Sequence, residues 1–116
     1  TTLNQMGAEL LLKVIGEYES GTEKPTPQNH KEATLTQRLS KQDGYFEISS
    51  PPEPEKLDQM IRAYFPWPTV WTRVDGKIIK FLPGRLIQPE GKRPMTFAEF
   101  KNGYKKEFSQ LTPVIS

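Results

Sequence analysis

The stretch Val70-Trp71-Thr72-Arg73-Val74-Asp75-Gly76-Lys77-Ile78-Ile79-Lys80-Phe81-Leu82 has the pattern of two β-strands joined by a tight turn. Apolar residues recur on both sides of Asp75-Gly76, a dipeptide that favours hairpin turns because its residues tolerate positive φ. Pro83-Gly84 turns the chain again, and Arg85-Leu86-Ile87 is long enough for a third short strand. The stretch therefore predicts a small antiparallel sheet.

Helical patterns precede and follow this sheet in the sequence. From Glu53 to Tyr64, acids come first and Arg62 comes near the end, which is the order that the helix dipole favours, and Pro66 requires the helix to end by Phe65. Thr96-Phe97-Ala98-Glu99 is a capping box that begins another helix. The apolar side of that helix carries Phe97, Phe100, Tyr104 and Phe108. Together these elements predict an α+β fold, with helices flanking a small antiparallel sheet or partial barrel.

The first part of the chain has a different character. Residues 3–20 place apolar side chains at spacings of three and four, which predicts an amphipathic helix that ends at Gly21. Residues 22–41 are polar and contain Pro25 and Pro27, so we expect an extended linker. Tyr45-Phe46-Glu47-Ile48 resembles a short strand, and we expect residues 112–116 to form a frayed tail.

The predicted core is modest in size. Its members are Tyr45, Phe46, Leu57, Ile61, Trp67, Trp71, Ile79, Phe81, Leu86, Phe97 and Phe100. Two interpretations of the tryptophans stay open at this point. Both indoles fill the core while prolines direct the chain from helix to sheet, or both stack on the bases of a single-stranded nucleic acid.

Composition excludes several kinds of chemistry from these 116 residues. With no cysteine and one histidine, the chain offers no disulfide framework, no thiolate metal site and no Cys nucleophile. His30 lies in the polar linker without a second ligand or a nucleophile nearby, so we interpret it as a solvated loop residue. We find no phosphate-binding glycine loop, and the carboxylates of Glu53, Glu55 and Asp58 suit the opening of a helix. No catalytic or metal site is predicted.

Cysteine usage and hydropathy also bear on location. The absence of cysteine predicts a cytoplasmic protein, and no apolar run approaches the length of a transmembrane helix. Because the chain begins with Thr1-Thr2 rather than Met, we expect it to be a piece of something longer.

The net charge of +2 conceals an uneven distribution. Residues 1–44 carry a net charge of −1, and residues 45–116 carry +3. Between Arg73 and Lys106, nine basic residues stand against Asp75, Glu90 and Glu99. Such a basic stripe suits a phosphate backbone, although solvated surface charge is the alternative. The candidate phosphate contacts are Arg73, Lys77, Lys80, Arg85, Lys92 and Arg93, followed by Lys105 and Lys106.

Two blocks of sequence carry a family resemblance. They are Ile61-Arg62-Ala63-Tyr64-Phe65-Pro66-Trp67-Pro68-Thr69-Val70-Trp71-Thr72 and Gln88-Pro89-Glu90-Gly91-Lys92-Arg93-Pro94-Met95-Thr96-Phe97-Ala98-Glu99-Phe100. In this order they resemble the carboxyl-terminal domain of the methionyl-tRNA formyltransferase family. Upstream, Gly7-Ala8-Glu9-Leu10-Leu11-Leu12 is similar to the last helix of the family's catalytic domain, Pro25-Thr26-Pro27-Gln28 to its linker, and Leu39-Ser40-Lys41-Gln42-Asp43-Gly44 to the entry to its second domain.

The resemblance implies a division of the chain. Residues 1–21 would be the last helix of a missing amino-terminal catalytic domain, 22–41 the linker, 42–111 an oligonucleotide-binding-type (OB-like) partial barrel and 112–116 the tail. It also implies a parent enzyme that transfers a formyl group from 10-formyltetrahydrofolate to methionyl initiator tRNA. The catalytic Asn, His and Asp would lie in the missing Rossmann-like domain, so this piece would be inactive alone, would hold no cofactor, and would contact initiator tRNA weakly through phosphates.

Two departures qualify what the resemblance implies. Phe65-Pro66-Trp67-Pro68-Thr69-Val70 stands where the family commonly has Asn-Pro-Trp-Pro-Gly-Ala, and the segment between Leu82 and Gln88 is shorter than in the usual barrel. We therefore expect a reduced barrel. Sugar-nucleotide formyltransferases carry a similar domain, so an accessory or interaction domain of such an enzyme is the alternative function.

Overall fold

A computed structural model describes residues 2–115, and the chain divides into two compact units between Thr36 and Gln37. The first unit consists of helix α1 (Thr2–Glu19) followed by an irregular segment with one 3-10 turn, His30–Glu32. Gly21 adopts φ 69° and ends α1, as the sequence predicts. No residue of α1 is buried, and His30 is exposed.

The second unit combines a sheet with helices. After a 3-10 turn, Lys41–Gly44, the elements are α2 (Pro54–Tyr64), β1 (Val70–Val74), β2 (Lys77–Leu82), β3 (Leu86–Pro89), β4 (Met95–Thr96), α3 (Phe97–Gly103) and α4 (Lys105–Ile115). The four strands lie in the order β1-β2-β3-β4, and each neighbouring pair is antiparallel. Because the chain combines helices with an open antiparallel sheet, the predicted α+β class with a partial barrel is confirmed.

Local signals in the sequence place most of these elements. The β1–β2 hairpin pairs Val74 with Lys77 across the Asp75-Gly76 turn, where both turn residues have positive φ. Helix α2 ends at Tyr64, which agrees with the prediction that Pro66 requires it to end by Phe65. At α3 the capping box forms, because the Glu99 backbone N–H donates to the Thr96 hydroxyl while the Glu99 carboxylate accepts from the Thr96 N–H.

One face of the sheet packs against the helices and forms the core. Alternate strand residues point to this inner face, which explains why Val70, Thr72 and Val74 are buried on β1. The core cluster is Phe46, Leu57, Val70, Val74, Ile79, Phe81, Ile87, Phe100, Leu111 and Ile115. Thr72 is fully buried, and its hydroxyl is satisfied there because it donates to the Phe46 carbonyl oxygen at 2.8 Å.

The predicted core is partly confirmed. Phe46, Leu57, Ile79, Phe81 and Phe100 are buried in the core cluster, and Tyr45, Ile61, Leu86 and Phe97 are half-buried. Trp71 is buried as well, but on the other face of the sheet. The prediction that Trp67 belongs to the core is wrong, since its side chain is 58% exposed in the α2–β1 loop.

Two further expectations are wrong. Tyr45–Ile48 is not a strand, since it contributes a single parallel bridge between Tyr45 and Trp71. Residues 112–115 are not frayed, because α4 continues through Ile115 and buries that side chain and Leu111. The expectation for Ser116 lies outside the described residues. Among residues 2–115, no helix is long and apolar enough to cross a membrane.

Candidate nucleic-acid interface

The second face of the sheet, opposite the core, carries basic and polar side chains. By strand alternation, this outer face carries Trp71, Arg73, Ile78, Lys80 and Gln88, with Leu82 and Leu86 at its end next to the β2–β3 turn. Trp71 pairs with Lys80, and Lys80 pairs with Gln88, so these three residues form a row across β1, β2 and β3. None of the outer-face residues is acidic. The strands of this face therefore contribute positive charge and no carboxylate.

Trp71 organises the β1 side of the outer face. Its indole Nε1 donates a hydrogen bond to the Lys41 carbonyl oxygen at 3.0 Å, and the Tyr45 ring lies 4.8 Å from it, centroid to centroid. The Lys41 ammonium and the Arg73 guanidinium lie 5.4 Å and 5.8 Å from the indole centroid. These cation–π contacts hold both charges beside the face. The indole itself is only 6% exposed, so it offers little surface for base stacking.

A cleft of about 200 Å³ lies beside Lys80. It is lined by Lys41, Ile78, Lys80, Gln88, Pro89, Glu90 and Gly91. The Gln88 amide donates to the Lys92 carbonyl oxygen at 2.8 Å, which fixes the β3–β4 loop beside this cleft. The Glu90 carboxylate accepts from the Ile78 backbone N–H at 3.3 Å. The cleft thus joins two lysines to one backbone-bonded carboxylate.

Two of the predicted phosphate contacts lie on this face, and the backbone of a third lies in the loop beside it. Arg73 and Lys80 are part of it, and Lys92 follows in the loop that Gln88 holds. The other three lie elsewhere. Lys77 is the first residue of β2, and Arg85 lies in the turn after the end of β2. The Arg93 guanidinium lies 3.9 Å from the Glu99 carboxylate.

Several basic residues away from the outer face form ion pairs with acidic residues. Lys77 contacts Glu107 at 3.0 Å, and Lys106 contacts Asp75 at 3.0 Å. The hydrogen bond from Lys77 lowers the pKa of Glu107, and the same bond raises the pKa of Lys77. Lys106, followed by Gln110, lowers the pKa of Asp75 through hydrogen bonds. These cations hold α4 to the hairpin. Lys105 is exposed at the start of α4.

Sequence reasoning missed Lys41 and Gln88. The sequence predicts that Lys41 belongs to the linker, whereas the structure places it in a 3-10 turn of the second unit. In this turn the Asp43 carboxylate accepts from the Ser40 backbone N–H at 2.6 Å and from the Ser40 hydroxyl at 2.9 Å. These bonds lower the pKa of Asp43 and close a 3-10 turn that places Lys41 over Trp71. The spacing Ser-x-x-Asp is the signal that predicts such a turn.

The structure shows no metal-binding cluster in the part of the chain it describes. Across residues 2–115, no group of three or more His, Asp or Glu side chains is close enough to hold a metal ion.

Comparison with known proteins gives the family. The chain is 30% identical over 133 residues to a methionyl-tRNA formyltransferase of Roseiflexus castenholzii, covering 86% of this chain and 42% of that protein. It is 35% identical over 89 residues to that of Chloroflexus aurantiacus (77% of this chain, 28% of the relative) and 33% identical over 96 residues to that of Streptococcus equi (83% and 30%). No family model matches the chain.

Coverage tells which part of these proteins is present. The chain spans less than half the length of each of these three relatives. The alignment with the Roseiflexus protein, at 133 residues, is longer than this chain of 116, so the relative has residues here that the chain lacks. The chain belongs to the methionyl-tRNA formyltransferase family, and it corresponds to the C-terminal part of these proteins.

Proposed function

We propose that this chain is the tRNA-positioning part of a methionyl-tRNA formyltransferase, and that it contacts initiator tRNA through the outer face. The observation that carries the proposal is the position of Arg73 and Lys80 on a sheet face whose strands contribute no acid, with the loop that contains Lys92 held beside it by Gln88. The names of the relatives support tRNA over a sugar nucleotide as the substrate of the parent enzyme.

Phosphate contacts suit these side chains better than base readout. Lysine and arginine supply attraction and register along a nucleic-acid backbone, and they carry no sequence information by themselves. The cation–π contacts with Trp71 hold Lys41 and Arg73 in place, so less side-chain entropy is lost on binding. Lys77 is a weaker candidate, because it would have to leave Glu107 to reach a phosphate. Arg85 and Arg93 stay predictions of the sequence.

The parent enzyme would supply the chemistry. In this proposal a Rossmann-like catalytic domain in the same protein binds 10-formyltetrahydrofolate and transfers its formyl group to methionyl-tRNA in the cytoplasm. Helix α1 supports such a neighbour, since Leu3, Leu12 and Tyr18 are 81%, 73% and 75% exposed. Leu10, Leu11 and Leu12 follow one another and so point to different sides of the helix, a pattern typical of helices buried inside a larger domain.

The test is a titration of labelled initiator tRNA with the chain at several salt concentrations. We expect weak binding that weakens steeply between about 50 and 200 mM salt, since each phosphate contact contributes a slope of about 0.7–0.9 in log affinity against log salt. The double variant Arg73→Gln/Lys80→Gln should reduce that slope by roughly 1.4–1.8.

A matched double variant separates this face from the total charge. Lys56→Gln/Lys101→Gln removes two exposed charges from α2 and α3 and should retain the wild-type slope. Equal effects of both doubles would reduce the interaction to net charge and contradict the proposed face. Absence of tRNA binding at low salt would contradict the function and favour the sugar-nucleotide alternative.

A further inference from the structure

A second cleft lies at the other end of the sheet and shares no residue with the one beside Lys80. Its volume is about 310 Å³, and it lies between α2, the β2–β3 turn and the end of α4. Leu57, Phe81 and Ile115 are buried at its base. Further half-buried apolar side chains line the cleft, namely Ile61, Leu82, Pro83, Leu86, Phe97 and Val114.

The tight β2–β3 connection leaves this cleft open. Pro83-Gly84-Arg85 reverses the chain directly, with Gly84 at φ 80° and Arg85 at φ 59°, so that Leu82 pairs with Leu86. This is the segment that the sequence predicts to be shorter than in the family. Such a short turn has no residues to extend over Leu82 and Leu86, and both side chains remain accessible from the cleft.

One cation at the cleft has no acidic partner among residues 2–115. The Arg85 guanidinium lies 5.5 Å from the centroid of the Phe97 ring, and no carboxylate of the described residues forms an ion pair with it. The other arginine at the cleft, Arg62, is already paired with Asp58 at 2.9 Å. Among the described residues, the cleft therefore presents one positive charge without an acidic partner, next to apolar surface.

We propose that this cleft binds a small apolar carboxylate, whose anionic group pairs with Arg85 while its tail covers Leu82, Leu86 and Val114. The volume lies at the lower end of small-molecule sites, which begin at about 300 Å³. At the roughly 30 Å³ that a water molecule takes in the liquid, it accommodates about ten non-hydrogen atoms. Octanoate has this size and this chemistry, and its carboxylate matches the planar donor set of arginine.

The experiment titrates octanoate into the whole chain and follows the methyl NMR signals. We expect saturable shifts of Leu82, Leu86 and Val114, without matching shifts of Leu10 and Leu11 on the exposed α1. Arg85→Gln should weaken octanoate binding roughly tenfold, because a charge-assisted pair is lost. Arg85→Lys should retain most of the binding.

Two controls isolate the charge and the cleft. Neutral 1-octanol should bind wild type and Arg85→Gln equally, and Arg38→Gln, which removes an exposed charge outside the cleft, should bind octanoate like wild type. Val114→Glu places a carboxylate in the cleft and should abolish octanoate binding. Unchanged octanoate affinity in Arg85→Gln, or shifts confined to α1, would overturn the proposal. The readout uses no RNA, so its failure leaves the proposed tRNA contact unaffected.

Discussion

The Lys77 ammonium lies 3.0 Å from the Glu107 carboxylate and joins the start of β2 to α4. The Glu107 side chain is only 12% exposed, so this carboxylate depends on its partner more than a fully solvated one would. Next to it, Asp75 accepts from the Lys106 ammonium at 3.0 Å and from the Gln110 amide at 3.2 Å. The hairpin turn and α4 are therefore held together by adjacent charge contacts.

These contacts predict a loss of stability in acid. The pKa of Glu107 is lowered mainly by the hydrogen bond from Lys77, and that of Asp75 mainly by Lys106. A carboxyl with a lowered folded-state pKa stabilises the fold above its unfolded pKa, and this contribution disappears as pH falls through the folded value. We expect the free energy of unfolding in urea to decrease as pH falls below the ordinary Glu value of 4.5.

The variant Glu107→Gln assigns part of that acid sensitivity. It should be less stable than wild type at neutral pH and lose less stability on acidification, because the group that takes up the proton is gone. Glu55→Gln changes an exposed helix carboxylate that forms no ion pair with the described residues, and it should keep the wild-type acid profile. Identical profiles for all three proteins would contradict the role of the Lys77–Glu107 pair.

The end of α4 should contribute to stability. Leu111 is fully buried, and Leu111→Ala is expected to lower the free energy of unfolding by about 2–5 kcal/mol. Ile115→Ser should cost about 1 kcal/mol or more, since Ile115 is 7% exposed. Thr112→Ala, at an exposed position, should stay within about 0.5 kcal/mol of wild type. If Ile115→Ser were as silent as Thr112→Ala in urea unfolding, the tail would be frayed after all.

The sequence predicts elements whose signals are local. The β1–β2 hairpin follows from Asp75-Gly76 and alternation, and α3 follows from its capping box at Thr96. The end of α4 could not be predicted in this way, because Ile115 is held by packing against core residues distant in sequence. A five-residue, proline-containing tail is too short to show a periodic signal strong enough to outweigh the usual fraying of chain ends.

The sequence predicts the excess of basic residues in the candidate interface, but it does not predict which of them share one surface. Counting basic residues finds Lys77 and Lys80 equally, although the first lies against Glu107 and the second faces outward. Strand alternation puts the two lysines on opposite faces of β2, but the sequence alone does not tell which face packs against the helices. Lys41 reaches Trp71 from 30 residues away through its carbonyl oxygen and its ammonium, and no local pattern contains that contact.

Gly44 should tolerate no side chain. A Cβ at this position would overlap the Thr69 carbonyl oxygen, because the 3-10 turn packs directly on the backbone that leads into β1. Gly44→Ala is expected to destabilise the chain by about 1–3 kcal/mol or more, measured by urea unfolding. Gly103→Ala is the matched control, since a Cβ there meets no atom within 4 Å, and it should be neutral or slightly stabilising. Equal stability of the two variants would contradict the close packing of this turn.

The two tryptophans should report opposite environments. In Trp71→Phe the remaining Trp67, 58% exposed, should emit at longer wavelength and be strongly quenched by acrylamide. In Trp67→Phe the remaining Trp71, 6% exposed and bonded to Lys41, should emit at shorter wavelength and resist quenching. Trp71→Phe should also lose about 1 kcal/mol of stability for the missing hydrogen bond, because the indole N–H that holds the Lys41 turn is removed. Equal quenching of the two variants would contradict the separation of a buried indole on the sheet from an exposed one in the α2–β1 loop.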